Sequence, residues 1–170
     1  MTDLTIDIIT DRAIWNDALR QLPYAHILQT WEWGDFKHVT TGWRPIRLMY
    51  KRDDQIVAMA SVGLRRIGPL NMLYVSKGPA LAYQDAELAS DVLDHLQRAA
   101  RHNRAVWLKI DPDVIAATGV PSTAVAVDDT AVNQPDDTPD PVGQGFMRLL
   151  RDRHWRFSND QVQFRNTITI

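Results

Sequence analysis

Lys37 and Trp33 are the first pair whose types and spacing could do chemistry. They lie in Gln29 to Trp43, QTWEWGDFKHVTTGW, a stretch that holds three of the six tryptophans. Four residues apart, they share one face of a helix with Phe36 and Thr40. An ammonium beside an indole suits an anionic ligand, because the charge can meet a phosphate or carboxylate while the alkyl stem lies along the ring. This helix reads as one wall of a ligand cleft, with a solvated helix lysine as the simpler alternative. Trp31 and Trp33 offer flat apolar faces for a base such as uracil or for a sugar ring. Packing of the helix on a sheet explains them equally well. Of the two, Trp33 is expected to be buried and Trp31 more exposed.

Tyr74 and Lys77 stand where the strand NMLYVS runs into the Lys77-Gly78-Pro79 corner. A glycine-rich loop opening a helix at such a place can hold a pyrophosphate on its backbone N–H groups. Here SKGPALAY has one glycine and then a proline, which has no N–H to give, and this argues against acetyl-CoA. Lys77 could still meet an anion, or simply close the turn. Asp111 follows the strand AVWLKI, where a carboxylate can act as general base on an attacking amine. Its alternative role is a turn carboxylate at the Pro112 corner. His26, His38, His95, His102 and His154 show no metal-ligand spacing. Cysteine is absent, which excludes disulfides, thiolate metal sites and a cysteine nucleophile. No serine sits in a nucleophile elbow, and no Walker or dinucleotide glycine motif occurs. No metal site is expected.

The elements that must position these residues follow from periodicity and punctuation. Leu4 to Thr10 is β-branched and reads as a strand. Asp11 can cap a helix over 12–21, and Pro23 ends it. Thr30 and Gly42 bracket a second helix, Trp31 to Thr41. Arg44 to Lys51 and Ile56 to Ile67 form a hairpin around a polar turn. A strand at 71–76 follows, then a helix from Asp85 to Arg101 with Leu88, Val92, Leu96 and Ala99 on one face. Ala105 to Ile110 is nearly all apolar, as a strand buried on both faces would be. Residues 115–141 are rich in Pro, Asp and Thr and read as a long loop. A last helix at 144–153 and a last strand at 161–170 complete the order β-α-α-β-β-β-α-β-α-β. That order predicts an α/β fold with a mixed sheet flanked by helices, of the GNAT (acyl-CoA N-acyltransferase-like) type, truncated at the last strands. All 170 residues are read as one domain.

Composition limits the partners. A net charge of −2, with 24% charged residues, gives no basic excess for duplex nucleic acid. No apolar run is long enough to span a bilayer and no signal-peptide layout opens the chain, so any membrane contact would be peripheral. The absence of cysteine fits a cytoplasmic location.

WEWGDFK followed by GW, then YVSKGP, LKIDPD, HWRFSND and VQFRNT, in this order and spacing, resemble the FemABX family of aminoacyltransferases. The resemblance implies transfer of an amino acid from aminoacyl-tRNA to the stem peptide of a peptidoglycan precursor, UDP- or lipid-linked, in building the interpeptide bridge. It implies a precursor-binding role for Lys37, and a chemistry that needs no metal or organic cofactor. The chain matches the family's first domain and only the entry into its second, so it is expected to bind precursor without being active alone. Two other readings stay open. One is a stand-alone GNAT N-acetyltransferase. The other is a non-catalytic binding or assembly module, in which an exposed last strand pairs with a second copy as a homodimer.

Overall fold

A computed structural model describes residues 4–119 and 138–158. The chain divides into two compact units, Met1–Asp113 and Val114–Ile170. The first holds a mixed, mostly antiparallel sheet with helices on both faces, the α/β fold expected.

In the first unit the elements are β1 (Thr5–Ile8), α1 (Arg12–Leu19), a 3-10 turn (Ile27–Gln29), α2 (Trp31–Thr41), β2 (Arg44–Arg52), β3 (Gln55–Ile67), β4 (Leu70–Val75), β5 (Ala80–Leu81), α3 (Ala86–His102) and β6 (Ala105–Ile110). The sheet order is β1-β2-β3-β4-β6, with β5 also on β3. All pairs are antiparallel except β4 with β6. β2 and β3 meet at Asp53-Asp54, both with positive φ (50° and 61°), as a tight hairpin turn requires and aspartate tolerates. β4 and β5 lie along the same side of β3, interrupted by Ser76 to Pro79.

Met49 and Tyr50 are adjacent on β2 and therefore point to opposite faces. Met49 joins Met59 and Ala80 in a cluster with Trp15, Ala18 and Leu19 of α1, against which Trp31 of α2 packs. Tyr50 points the other way and its hydroxyl lies 3.0 Å from His95 Nδ1 on α3. Thus α1 and α2 cover one face and α3 the other. Both faces of β2 and β3 are buried over their central residues.

The caps expected at Asp11, Thr30 and Gly42 form, and Asp85, expected inside the first turn of α3, is its N-cap instead. Asp11 accepts from Ile14 N–H at 2.9 Å and Asp85 from Leu88 N–H at 2.9 Å. Thr30 caps α2, and Gly42 ends it at φ 72°. β6 differs from expectation. Val106 is 55% and Trp107 40% exposed, because among the described residues β6 is the outermost strand, paired only with β4. An apolar run marks a fully buried strand only when neighbours flank it on both sides.

In the second unit Ala117–Thr118 (β7) pairs with Thr138–Pro139 (β8), and α4 spans Pro141–Asp152. Asp140 Oδ1 accepts from Val142 N–H and Gly143 N–H, and Pro141 occupies the first turn, so α4 starts three residues earlier than periodicity alone suggests. The middle of the Pro/Asp/Thr-rich stretch and the expected last strand at 161–170 lie outside the described residues, and so does the edge on which pairing with a second copy depends.

Candidate functional site

α2 is held on the sheet through Gly34 and Arg47. Gly34 is the only buried residue of the helix. A Cβ there would meet Arg47 Nη2 at 3.0 Å and Pro45 Cβ at 3.1 Å, so the helix backbone sits close on β2. Arg47 is only 7% exposed. Its Nη2 donates to Trp31 O (3.0 Å) and Asp35 Oδ1 (2.7 Å), and its guanidinium lies 3.4 Å from the centroid of the Trp31 ring. Trp31 is therefore a packing residue, one side on the core and one on Arg47. Trp33 is only partly buried, where full burial was expected, and Trp31 is partly buried as well. They differ in what they touch: Trp31, three residues from Gly34, packs on the core and Arg47, whereas Trp33 lies beside Phe36 and Lys37.

On that flank the sequence reading of a shared face holds. Trp33 and Phe36 rings lie 5.5 Å apart, and Lys37 Nζ is 5.9 Å from the Trp33 centroid. Phe36 is 53% and Val39 84% exposed. Lys37 forms no ion pair among the described residues, whereas Lys51 is paired with Asp7 and Lys77 with Asp113.

A second group gathers at the C-terminal ends of the parallel strands β4 and β6. Tyr74 hydroxyl donates to Asp111 Oδ2 at 3.2 Å, and Asp111 N–H donates to Val75 O at 3.1 Å. Lys77, at φ 49°, donates to Asp113 Oδ1 at 2.9 Å from a side chain 14% exposed. The Lys77-Gly78-Pro79 corner leads into β5 rather than into a helix, and the next helix, α3, starts on its own carboxylates, Asp85 at the cap and Glu87 in the first turn. A pyrophosphate would find that N-terminus occupied by negative charge.

Trp43 connects the two groups. Its N–H donates to Lys37 O at 3.2 Å. Its ring lies over Gly63, where a Cβ would come within 3.1 Å of it, and stands 6.1 Å from Tyr74 and 6.3 Å from Trp107. Arg65 Cζ is 5.9 Å from the same ring. The six residues singled out from sequence thus fall into three settings. Trp33 and Lys37 form a half-exposed aromatic and cationic flank, Tyr74 with Asp111 and Lys77 with Asp113 make two hydrogen-bonded pairs near the strand ends, and Trp31 is a packed core contact. Arg47, Trp43 and Gln29 escaped sequence reasoning. Arg47 sits in a strand whose alternation marks a polar position, and Trp43 reads as the residue after a helix cap.

Tyr50 and half-buried His95 lie between β2 and α3, whereas the buried Tyr83 hydroxyl donates to Pro79 O at the Lys77-Gly78-Pro79 corner. Burial pushes the Tyr50 and Tyr83 phenols above their ordinary range, and burial, then Arg98, lowers His95. No group of three or more potential metal ligands gathers among the described residues, and no helix among them is long and apolar enough to cross a membrane.

A sequence model of the FemAB family matches residues 17–133. The lipid II:glycine glycyltransferase of Staphylococcus saprophyticus is 31% identical over 109 residues, 62% of this chain and 26% of that protein. The enzyme of the same name from Staphylococcus aureus is 31% identical over 94 residues, 54% of this chain and 22% of that protein. The chain spans about a quarter of the length of these relatives. Among solved structures, FemX superposes with a TM-score of 0.58 at 27% identity, over 65% of this chain and 27% of its own. A predicted acetyltransferase from Clostridium acetobutylicum, solved with acetyl-CoA, superposes at TM-score 0.50 and 10% identity over 96% of each chain, a likeness of fold alone.

Proposed function

The chain belongs to the FemAB family, and we propose on that footing that it holds the peptidoglycan precursor while an amino acid passes from aminoacyl-tRNA to the precursor's stem peptide. Its part is the first, precursor-binding domain of a cytoplasmic aminoacyltransferase, with binding rather than turnover as its work in isolation. The relatives named for glycine transfer to lipid II support a precursor of that class. The observation that carries the reading is Lys37, a cation without a carboxylate partner among the described residues, beside an indole on a half-exposed aromatic flank. Such a group can neutralise a diphosphate or carboxylate.

The reaction is aminolysis of an activated ester, so the protein contributes mainly placement and charge neutralisation. Asp111, fixed by its own N–H and by the Tyr74 hydroxyl, is placed to receive an ammonium or take its proton. Lys77 spends its charge on Asp113 and acts through that pair. A free-standing acetyltransferase is the weaker reading, since Pro79 lacks an N–H and α3 begins among carboxylates.

Calorimetric titration with the UDP-linked muropeptide tests this. Lys37→Ala should weaken binding about tenfold or more, the scale of a hydrogen bond to a charged group. Unchanged affinity would remove Lys37 from the site.

A further inference from the structure

Gln29 is fully buried, and its side-chain amide stands in for a missing rung of the sheet. In the β3–β4 ladder Val62 faces Val75, so the next pair would be Ser61 with Ser76. There β4 breaks. Gln29 Oε1 accepts from Ser61 N–H at 2.7 Å, and Nε2 donates to Ser76 O at 2.5 Å. A Cβ on Gly78 would lie 2.7–2.9 Å from the Cδ, Oε1 and Nε2 of Gln29, so the turn closes directly on the amide. The backbone carbonyl of Gln29 accepts from Trp15 Nε1 at 2.9 Å, and the next residue, Thr30, caps α2. One side chain therefore ties the start of the Lys37-bearing helix to the turn that carries Lys77 and follows Tyr74.

We propose that Gln29 is a positioning residue for precursor binding, fixing α2, and with it Lys37, relative to the Ser76–Lys77–Gly78 turn. This rests on the precursor reading above. The chemistry of the rung is restrictive. It needs a donor and an acceptor on one planar group, which an amide supplies. An ionised carboxylate keeps the acceptor but faces Ser76 O without a donor. A protonated carboxyl restores both.

The test is titration with the UDP-linked muropeptide, with circular dichroism confirming that each variant is folded. Gln29→Glu should lose about tenfold or more in affinity at about pH 9, where even a carboxyl whose proton is held by burial ionises, the scale seen when a partner that orients a binding group is removed. Relative to wild type at the same pH, it should recover at about pH 5, where a buried carboxyl regains its proton. Gly78→Ala presses on the joint from the other side and should show a similar loss without recovery. A folded Gln29→Glu that binds as wild type, or whose deficit ignores pH, overturns the proposal. If Gln29→Glu does not fold, unchanged affinity in Gly78→Ala overturns it. Absence of binding by the wild-type chain overturns the precursor reading and this inference with it. Binding lost in Lys37→Ala but kept in both joint variants overturns this inference alone.

Discussion

Arg47 and Asp35 give the sharpest test of how α2 is held. Arg47 is buried, with Nη2 bonded to Trp31 O and Asp35 Oδ1, its plane on the Trp31 ring, and its Nε buried with no hydrogen-bond partner among the described residues. Asp35→Ala leaves the guanidinium in place with one backbone acceptor. A hydrogen bond to a charged group contributes about 1.5–3 kcal/mol, and the low end applies, about 1.5 kcal/mol, because water reaches the carboxylate, which is 56% exposed. Arg47→Met removes the charge together with the unsatisfied Nε. It leaves Asp35 to water and keeps an apolar stem on Trp31. Exchange of a buried ion pair for a packed apolar side chain is often neutral, so this variant should lie within about 1 kcal/mol of wild type. The expected order, Asp35→Ala less stable than Arg47→Met, is the reverse of what burial alone suggests. Urea unfolding followed by far-ultraviolet circular dichroism reads it without depending on the tryptophan being perturbed. Should Arg47→Met prove the less stable by more than about 1 kcal/mol, stacking and hydrogen bonding outweigh the cost of the buried charge, and the argument fails.

Gln29→Leu should cost about 3 kcal/mol, since it strips partners from two backbone groups that contribute about 1–3 kcal/mol each when left unsatisfied; equilibrium unfolding checks it, and a loss under about 1 kcal/mol would mean the ladder closes without the amide. Gly42→Ala, at φ 72° with open space around its Cβ position, should cost about 1 kcal/mol through backbone strain alone, read as a lowered melting temperature with an unchanged crystal structure. His95, lowered first by burial and then by Arg98, binds its proton more readily unfolded than folded. Its stabilising contribution is complete above the unfolded value of about 6.5 and is lost as pH falls through it. His95→Gln should therefore flatten the melting profile on the acid side of neutrality, and a slope identical to wild type would count against a half-buried neutral imidazole. Tyr50 and Tyr83, raised by burial, act at the opposite end, so stability should fall as pH rises beyond about 10.

What was legible in the sequence is what local chemistry determines. Thr30 and Gly42 bound α2 to the residue because each end has a chemical requirement that those residues meet. Trp33, Phe36 and Lys37 meet because helical spacing brings them together. The misjudged residues depend on long-range partners. Trp33 looks like a core residue along the chain yet is only partly buried, because the residue of α2 that sits closest on β2 is Gly34, over Pro45 and Arg47. AVWLKI reads as a central strand, yet its place in the sheet depends on which strands flank it, a matter of topology that its own composition does not carry.

Gln29 shows the same limit from the functional side. As the first residue of the aromatic stretch it reads as a polar residue before a cap. Its role exists only because β4 stops at Val75, forty-six residues later, and leaves Ser61 and Ser76 facing each other across a gap one amide wide. Seen from the turn, SKGP looks like a degraded phosphate loop, because it has one glycine where several would serve an anion. The structure gives that glycine a different reason: its missing Cβ makes room for the Gln29 amide. The corner therefore cannot be reshaped into a pyrophosphate loop by restoring glycines alone, since the amide that closes the sheet occupies the space beside it. The feature that argues against acetyl-CoA and the feature that joins α2 to the strand ends are one arrangement. A variant that opened the corner would have to give up the placement of Lys37 in the same step.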